Sequence, residues 1–343
     1  MDKKERFFRT IAREKVDYPA SWLGLPDAKA EPGLMQYFGV NSIDGIREII
    51  NDDIYPVELP YHSPSGDAIY MAFDFARQGK VKNEHRTLNA PGFFEDVSDP
   101  TRIEDFDWPD PANYIDPEEC RAEVSKAMPD RAVVGIIWSS FFQDTWAAFG
   151  MENGCIQMMM APDMFQGICD RIVDFYLKAN EIFFESTRGM LDAVLIGNDY
   201  GAQTSMVIAP EQFRQFGMAG TKQLVDQAHA YDLKVIHHSC GSIYEIIPDL
   251  IEAGVDAIHP MQALATNMEA EKIAPEFGDK VSFVGGLDAQ HLLVQGMPEQ
   301  IKKRVHELRE LFPTGLVISP SHEAILEEVN PENIKAMFEA VQD

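Results

Sequence analysis

His238 and Cys240 are separated by one serine in the run Lys234-Val-Ile-His-His-Ser-Cys240-Gly241. Side chains of an extended chain alternate between faces, so residues two apart share one. An imidazole nitrogen and a thiolate converging at the end of an apolar strand are two of the ligands that Zn²⁺ takes. Taken alone, the pair reads first as a buried cysteine beside a hydrogen-bonded core histidine. What lifts it above that is the company supplied by neighbouring strand ends.

Those ends are set by a regular alternation from residue 130 onward. Short apolar runs at 132–137, 192–197, 233–237, 255–258, 281–285 and 315–319 are read as strands. Between and after them lie helical patterns at 141–190, 210–231, 243–253, 267–276, 298–311 and 331–341. Strands that are apolar throughout and separated by helices imply a parallel sheet covered on both faces. Two more strands, at 18–22 and near 53–58, would close the sheet. The expected fold is therefore α/β, a (β/α)8 TIM barrel spanning residues 1–343 as a single domain. Residues 1–115 are its irregular N-terminal part, with helices at 3–15 and 43–50, short strands near 68–74 and 80–87, and lid-like elements over the mouth. A doubly wound sheet is disfavoured, because no Gly-x-Gly-x-x-Gly turn follows any strand.

In such a barrel the residues just after each strand gather at one face, the C-terminal mouth. Here they are Trp138; then Asn198, Asp199, Tyr200 and Gln203; then His238 and Cys240; then His259 and Gln262; then Asp288; then Ser321, His322 and Glu323. One polar residue after a strand is a cap or a turn, whereas five consecutive ends carrying Asp, His, Cys, Gln and His describe a site. His322 is the expected third metal ligand beside His238 and Cys240, leaving an open fourth position as in catalytic zinc. Asp199, Gln203 and Asp288 are candidate catalytic groups. Asn198, Tyr200, His259, Gln262 and Trp138 are candidate substrate contacts. His237 alternates to the opposite face and is expected to be packed, and Cys120, Cys155 and Cys169 are expected to be structural.

The 56 acidic and 29 basic residues give a net charge of -27. That disfavours nucleic acid, an anionic membrane surface and a substrate rich in carboxylates. No run has the length of a membrane span or signal-peptide core, and four irregularly spaced cysteines make no disulfide framework. A cytoplasmic enzyme is expected.

With these residues placed, the stretch from about 130 to 343 resembles the uroporphyrinogen decarboxylase superfamily. The resemblance is carried by Asn198-Asp-Tyr-Gly-Ala-Gln203, Ile208-Ala-Pro-Glu-Gln-Phe213, His238-Ser-Cys-Gly241, Gly254-Val-Asp256, Pro260-Met-Gln262, Gly285-Gly-Leu-Asp288, Pro320-Ser-His322 and Asn330-Pro-Glu-Asn-Ile-Lys335. It too implies a (β/α)8 barrel. True decarboxylases of the superfamily hold their substrate's carboxylates with an N-terminal arginine-rich motif. The equivalent piece here, Asp17-Tyr-Pro-Ala-Ser-Trp-Leu-Gly-Leu-Pro26, has no arginine. The His-x-Cys motif is similar instead to the corrinoid-dependent methyltransferase branch. That likeness implies a zinc enzyme moving a methyl group between a small substrate and methylcobalamin. In the coenzyme M methyltransferases the third zinc ligand is a cysteine in a Pro-Gly-Cys-Gly turn, whereas this chain has Pro320-Ser-His-Glu323. No Asp-x-His-x-x-Gly cobalamin motif is present, so the corrinoid would arrive on a separate protein. A metal-independent decarboxylase or lyase of the same barrel, with Asp199 and His322 in acid–base roles, is the alternative, and a non-catalytic binding barrel is the third reading. A homodimer is compatible with the sequence, which does not fix the assembly.

Overall fold

The computed structural model describes residues 1–62 and 92–343, so the strands expected near 68–74 and 80–87 lie outside the described residues. The first strand, β1 (Leu25–Pro26), is a two-residue piece. The next seven form one curled parallel sheet in sequence order. They are β2 (Ile54–Glu58), β3 (Ala132–Trp138), β4 (Ala193–Gly197), β5 (Lys234–His238), β6 (Ala257–Met261), β7 (Ser282–Leu287) and β8 (Leu316–Pro320). The last, β9 (Ala324–Ile325), pairs with β1.

The eighth stave expected at 18–22 shrinks to a single parallel bridge between Ser21 and Ile318. Around it Trp22 N–H donates to Ile318 O, Ile318 N–H to Ala20 O, and Asp53 N–H to Ser21 O. The segment thus joins β8 to the start of β2 and closes the barrel. It does not extend as a regular strand, because its remaining donors are diverted to side chains. Ser21 N–H goes to Asp53 Oδ2 at 2.8 Å, Leu23 N–H to Asp52 Oδ2 at 3.2 Å, and Ala20 N–H to Thr10 Oγ1 at 3.2 Å.

Alternation along each strand sorts side chains into two cores. Ile54, Val134, Leu195, Ile236, Ala257, Val284 and Val317 fill the barrel with Trp22, Phe7 and Ile11. Val133, Val194, Val235, Ile258 and Phe283 face outward into the helical layer. The first helix, expected at 3–15, is shorter (Lys3–Ile11), and the chain turns away at Arg13 with φ 58°. It lies at the end of the barrel opposite the mouth, where Ser282 Oγ donates to Ile11 O at 2.9 Å. Among the described residues of the N-terminal part, β1 pairs with β9, just past the mouth end of β8.

Carboxylates stitch that opposite end. Asp53, Asp192 and Asp256 each stand one residue upstream of a strand and accept a neighbouring backbone N–H, from Ser21, Val133 and Val235 respectively, at 2.8 to 2.9 Å. Asp53 also binds Arg6 at 2.6 Å, and Asp52 is held between Arg47 and Arg131. Helices Phe141–Phe149, Met151–Met160 and Pro162–Ser186 divide the long helical run at Gly150 and Pro162. Helices Glu31–Phe38 and Pro117–Val124 are additions that the irregular patterning had hidden. No helix among the described residues is long and apolar enough to cross a membrane.

Candidate metal centre

β5 delivers His238 to the barrel interior at the mouth and His237 to the outer face, as alternation requires. His237 is buried there, stacked against Tyr200 with ring centroids 6.5 Å apart. His238 Nε2 lies 3.4 Å from Cys240 Sγ and 3.2 Å from Asp199 Oδ1. These three donor atoms fall within 4.8 Å of one another. Asp199 Oδ1 also accepts the Cys240 N–H at 2.9 Å, so one carboxylate fixes the turn that presents the thiol. Gln143 holds Asp199 in turn, accepting its N–H at 3.1 Å and donating to Oδ2 at 3.4 Å. The turn admits only glycine at position 241. Its φ is +81°, and a Cβ there would sit 2.4 Å from the Gly201 carbonyl carbon.

The other face of the imidazole is held as well. His238 Nδ1 is 2.9 Å from His259 Nδ1. Burial, reinforced by the charges of His238 and His322, pushes the His259 pKa well below its ordinary value. A neutral His259 therefore accepts, and the proton between the rings is assigned to His238 Nδ1, which leaves Nε2 facing the sulfur and the carboxylate. Glu323 Oε2 stands 3.7 Å from His238 Nδ1 and 3.5 Å from His322 Nδ1, with no hydrogen-bond partner among the described residues. The Trp138 indole meets His238 edge-on at 5.2 Å between centroids. Its aim comes from left-handed backbone at Trp138 and Ser139 (φ 60° and 51°), beside a register shift between β3 and β4.

Charge at the centre is set by these contacts. Burial depresses the His238 pKa, but the neighbouring Cys240, Glu323 and Asp199 outweigh it and raise it well above the ordinary value. Burial pushes Asp199 up, yet His238 and the Cys240 N–H bring it below the ordinary carboxylate range. A bond with the Cys240 side chain is the largest influence raising His322. Surroundings that favour a proton on His238 favour a cation in the same place. The donor set (imidazole Nε2, thiol Sγ and carboxylate Oδ1, with the imidazole's other nitrogen already bonded) fits zinc.

The predicted residues divide clearly. His238, Cys240 and Asp199 come together; His322 reaches Cys240 from the side, while its Nδ1 accepts the Ala324 N–H at 3.1 Å. The compact triangle is thus closed by Asp199, not by His322. Trp138 and His259 border the cluster. Gln262 accepts the Gly241 N–H at 2.6 Å and donates to Gln203, whose own amide bonds Leu264 O, so both brace the turn. Asn198 Oδ1 accepts the Phe142 N–H at 2.7 Å, and Tyr200 is buried among Phe142 and Phe213, away from the cluster. Asp288 caps a turn, accepting the N–H groups of Gln290, His291 and Leu292. Residue spacing put Glu323 at the mouth without giving it a role and passed over Gln143. Glu323 adjoins His322 on the same loop, and that proximity was its signal; Gln143 lies in a helix and had none.

Two cavities lined by described residues lie at the mouth. One of 170 Å³ holds the cluster and is bordered by Trp138, Gln143 and Glu323. The other, 600 Å³, lies between the loops after β7 and β8, and His322 lines both.

The family model for uroporphyrinogen decarboxylase (URO-D) matches residues 118–343. Among solved structures, a methyltransferase from Methanosarcina mazei superposes with a TM-score of 0.70 at 18% identity, covering 99% of this chain and 98% of that one. At that identity the likeness is one of fold. Phosphoribosyl anthranilate isomerase from Thermotoga maritima is 12% identical over 67% of this chain and 82% of its own, and its TM-score of 0.24 carries no argument. No curated protein matches the chain.

Proposed function

The chain belongs to the uroporphyrinogen decarboxylase family, and on that premise we propose that it is a zinc-dependent methyltransferase. It would move a methyl group between a small molecule and a corrinoid carried by a separate protein. The observation that carries this reading is the convergence of His238 Nε2, Cys240 Sγ and Asp199 Oδ1 at the barrel mouth. These three would hold the zinc, with His322 facing the same sulfur from the side of the larger cavity. A zinc ion so held supplies Lewis acidity to a heteroatom of the small molecule, and the corrinoid supplies the cobalt that exchanges the methyl group.

The chain's own part is orientation and exclusion. His259 keeps the His238 proton on Nδ1 and so keeps Nε2 available. Gln143 and the Cys240 N–H hold Asp199 at one rotation. Gln262 pins Gly241, and Trp138 walls the small cavity. Neither cavity is lined by an arginine or lysine among the described residues. That supports a methyl-transfer substrate over the carboxylate-rich one that a decarboxylase of this family would need.

Elemental analysis and a cobalamin assay test the reading together. Wild type is expected to carry about one zinc per chain and to change the visible spectrum of added cobalamin, pre-reduced to the Co(I) state, when a methyl compound is supplied. Cys240→Ala is expected to lose both. A metal-free protein that decarboxylates at full rate would return the chain to the alternative.

A further inference from the structure

The triangle of His238, Cys240 and Asp199 uses one nitrogen of His238 and leaves the other, Nδ1, turned toward a second set of donors. Donor atoms of His238, His259 and Glu323 also lie within 4.8 Å of one another, and neither Cys240 nor Asp199 belongs to that set. β5, β6 and the loop after β8 supply it, and both imidazoles are buried. The spacing is not that of a hydrogen-bonded trio. The rings approach to 2.9 Å at Nδ1, but the buried Glu323 Oε2 stands 3.7 Å from His238 Nδ1 and makes no hydrogen bond among the described residues. Its other nitrogen neighbour, His322 Nδ1 at 3.5 Å, is committed to the Ala324 N–H. Two ligands of one zinc-like ion, each about 2.0–2.2 Å from it, lie about 3.3–3.6 Å apart. The observed gaps at His238 Nδ1 bracket that separation. A buried carboxylate with neither a donor nor a cation is costly, so the set is incomplete without one or the other.

We propose that His238 Nδ1, His259 Nδ1 and Glu323 form a second cation site, for a divalent transition ion such as zinc or cobalt. Two imidazoles and one carboxylate suit such an ion better than Mg²⁺ or Ca²⁺, which prefer oxygen ligands. The ion takes the place of the proton that the two rings otherwise share. That proton leaves His238 Nδ1 for solvent as the bond from Nδ1 to the metal forms, and His238 becomes an imidazolate bridging two ions. Trp22 lies against His259, ring centroids 5.4 Å apart, and walls the site on the barrel-interior side. Without a thiolate, and with a proton to displace, this site binds more weakly than the first and fills on titration. It does not depend on the methyl-transfer reading and is tested by metal binding alone.

Cobalt(II) titration of the full-length metal-free protein, followed by absorption and counted by equilibrium dialysis, tests it. Wild type is expected to bind about two ions per chain, with the thiolate-to-cobalt charge-transfer band complete after only about one of them. Glu323→Gln is expected to bind about one ion per chain and to keep the whole band. Cys240→Ser is expected to bind about one ion and to lose the band. His259→Phe is expected to repeat the Glu323→Gln result and stands in for it if that variant fails to fold. Saturation of wild type at about one ion, with the band complete, overturns the second site and leaves the functional reading standing. A folded Glu323→Gln or His259→Phe that binds as many ions as wild type overturns it too. Two ions bound as expected, with no methyl transfer to cobalamin, would instead overturn the functional reading and leave the second site standing.

Discussion

The two ends of the barrel treat buried charge in opposite ways. At the end where strands begin, Arg6 is matched by Asp17 and Asp53, and Arg47 and Arg131 share Asp52. The carboxylates that remain there bind backbone N–H groups of neighbouring strands. At the mouth, His238, Asp199, Cys240, Glu323 and His322 crowd together with acidic groups in excess, and Glu323 Oε2 faces two imidazoles without a hydrogen bond among the described residues. The same residue types make a fastener at one end and a receptor at the other. What separates the roles is whether the set is complete within the chain.

The largest expected effect comes from breaking the complete set. Asp52→Ala leaves two buried guanidinium groups facing each other and is expected to cost about 3–5 kcal/mol in urea unfolding. A cost below about 1 kcal/mol would mean that pairing is not what fastens this end.

Acidification probes the other end. His237 is buried on the outer face behind the cluster, and burial, with a smaller push from His238, lowers its pKa to about 3. The unfolded chain takes up this proton near pH 6.5 while the folded chain refuses it. Its contribution to stability therefore falls as pH drops from about 6.5 toward about 3, by about 2 kcal/mol at pH 5. His237→Phe is expected to flatten this part of the stability–pH curve, and a curve unchanged by the substitution would assign the loss to other groups.

The third ligand sharpens the comparison at the mouth. Asp199→Ala is expected to weaken zinc in a chelator competition by more than the roughly 10–100-fold that losing a ligand's outer partner costs, and His322→Ala by less. The reverse order would restore the ligand set expected from sequence. Smallest is Gln262→Ala, expected to cost about 1 kcal/mol because the Gly241 N–H loses its acceptor, with zinc retained. Metal loss in that variant would show that the brace and the ligands act as one.

The barrel was legible because its strands are apolar throughout and its helices are cleanly punctuated by Gly254, Pro298 and Pro331. The cluster was legible because His238, Cys240 and Asp199 follow strands on a known face. What escaped had specific reasons. Segment 18–22 carries strand-like residues, but Asp52, Asp53 and Thr10 capture its donors, and no local pattern reveals such distant acceptors. Asp199, expected as a catalytic group, stands beside His238 Nε2 and the Cys240 turn because its carboxylate accepts the Cys240 N–H and so bridges two loops. Asp288 sits at a strand end like the others, yet three backbone donors occupy it, which its position alone does not disclose.

The closing bridge between Ser21 and Ile318 joins positions almost the whole chain apart. During synthesis from the N-terminus, Ala20–Trp22 must wait for nearly every other strand before it meets its partner. Until then Trp22, Phe7 and Ile11 have no finished interior to enter, and Ser21, which can already meet Asp53, lacks its partner in β8. A nascent chain paused before residue 318 would therefore carry an open sheet, whose unclosed edge is open to pairing with another chain.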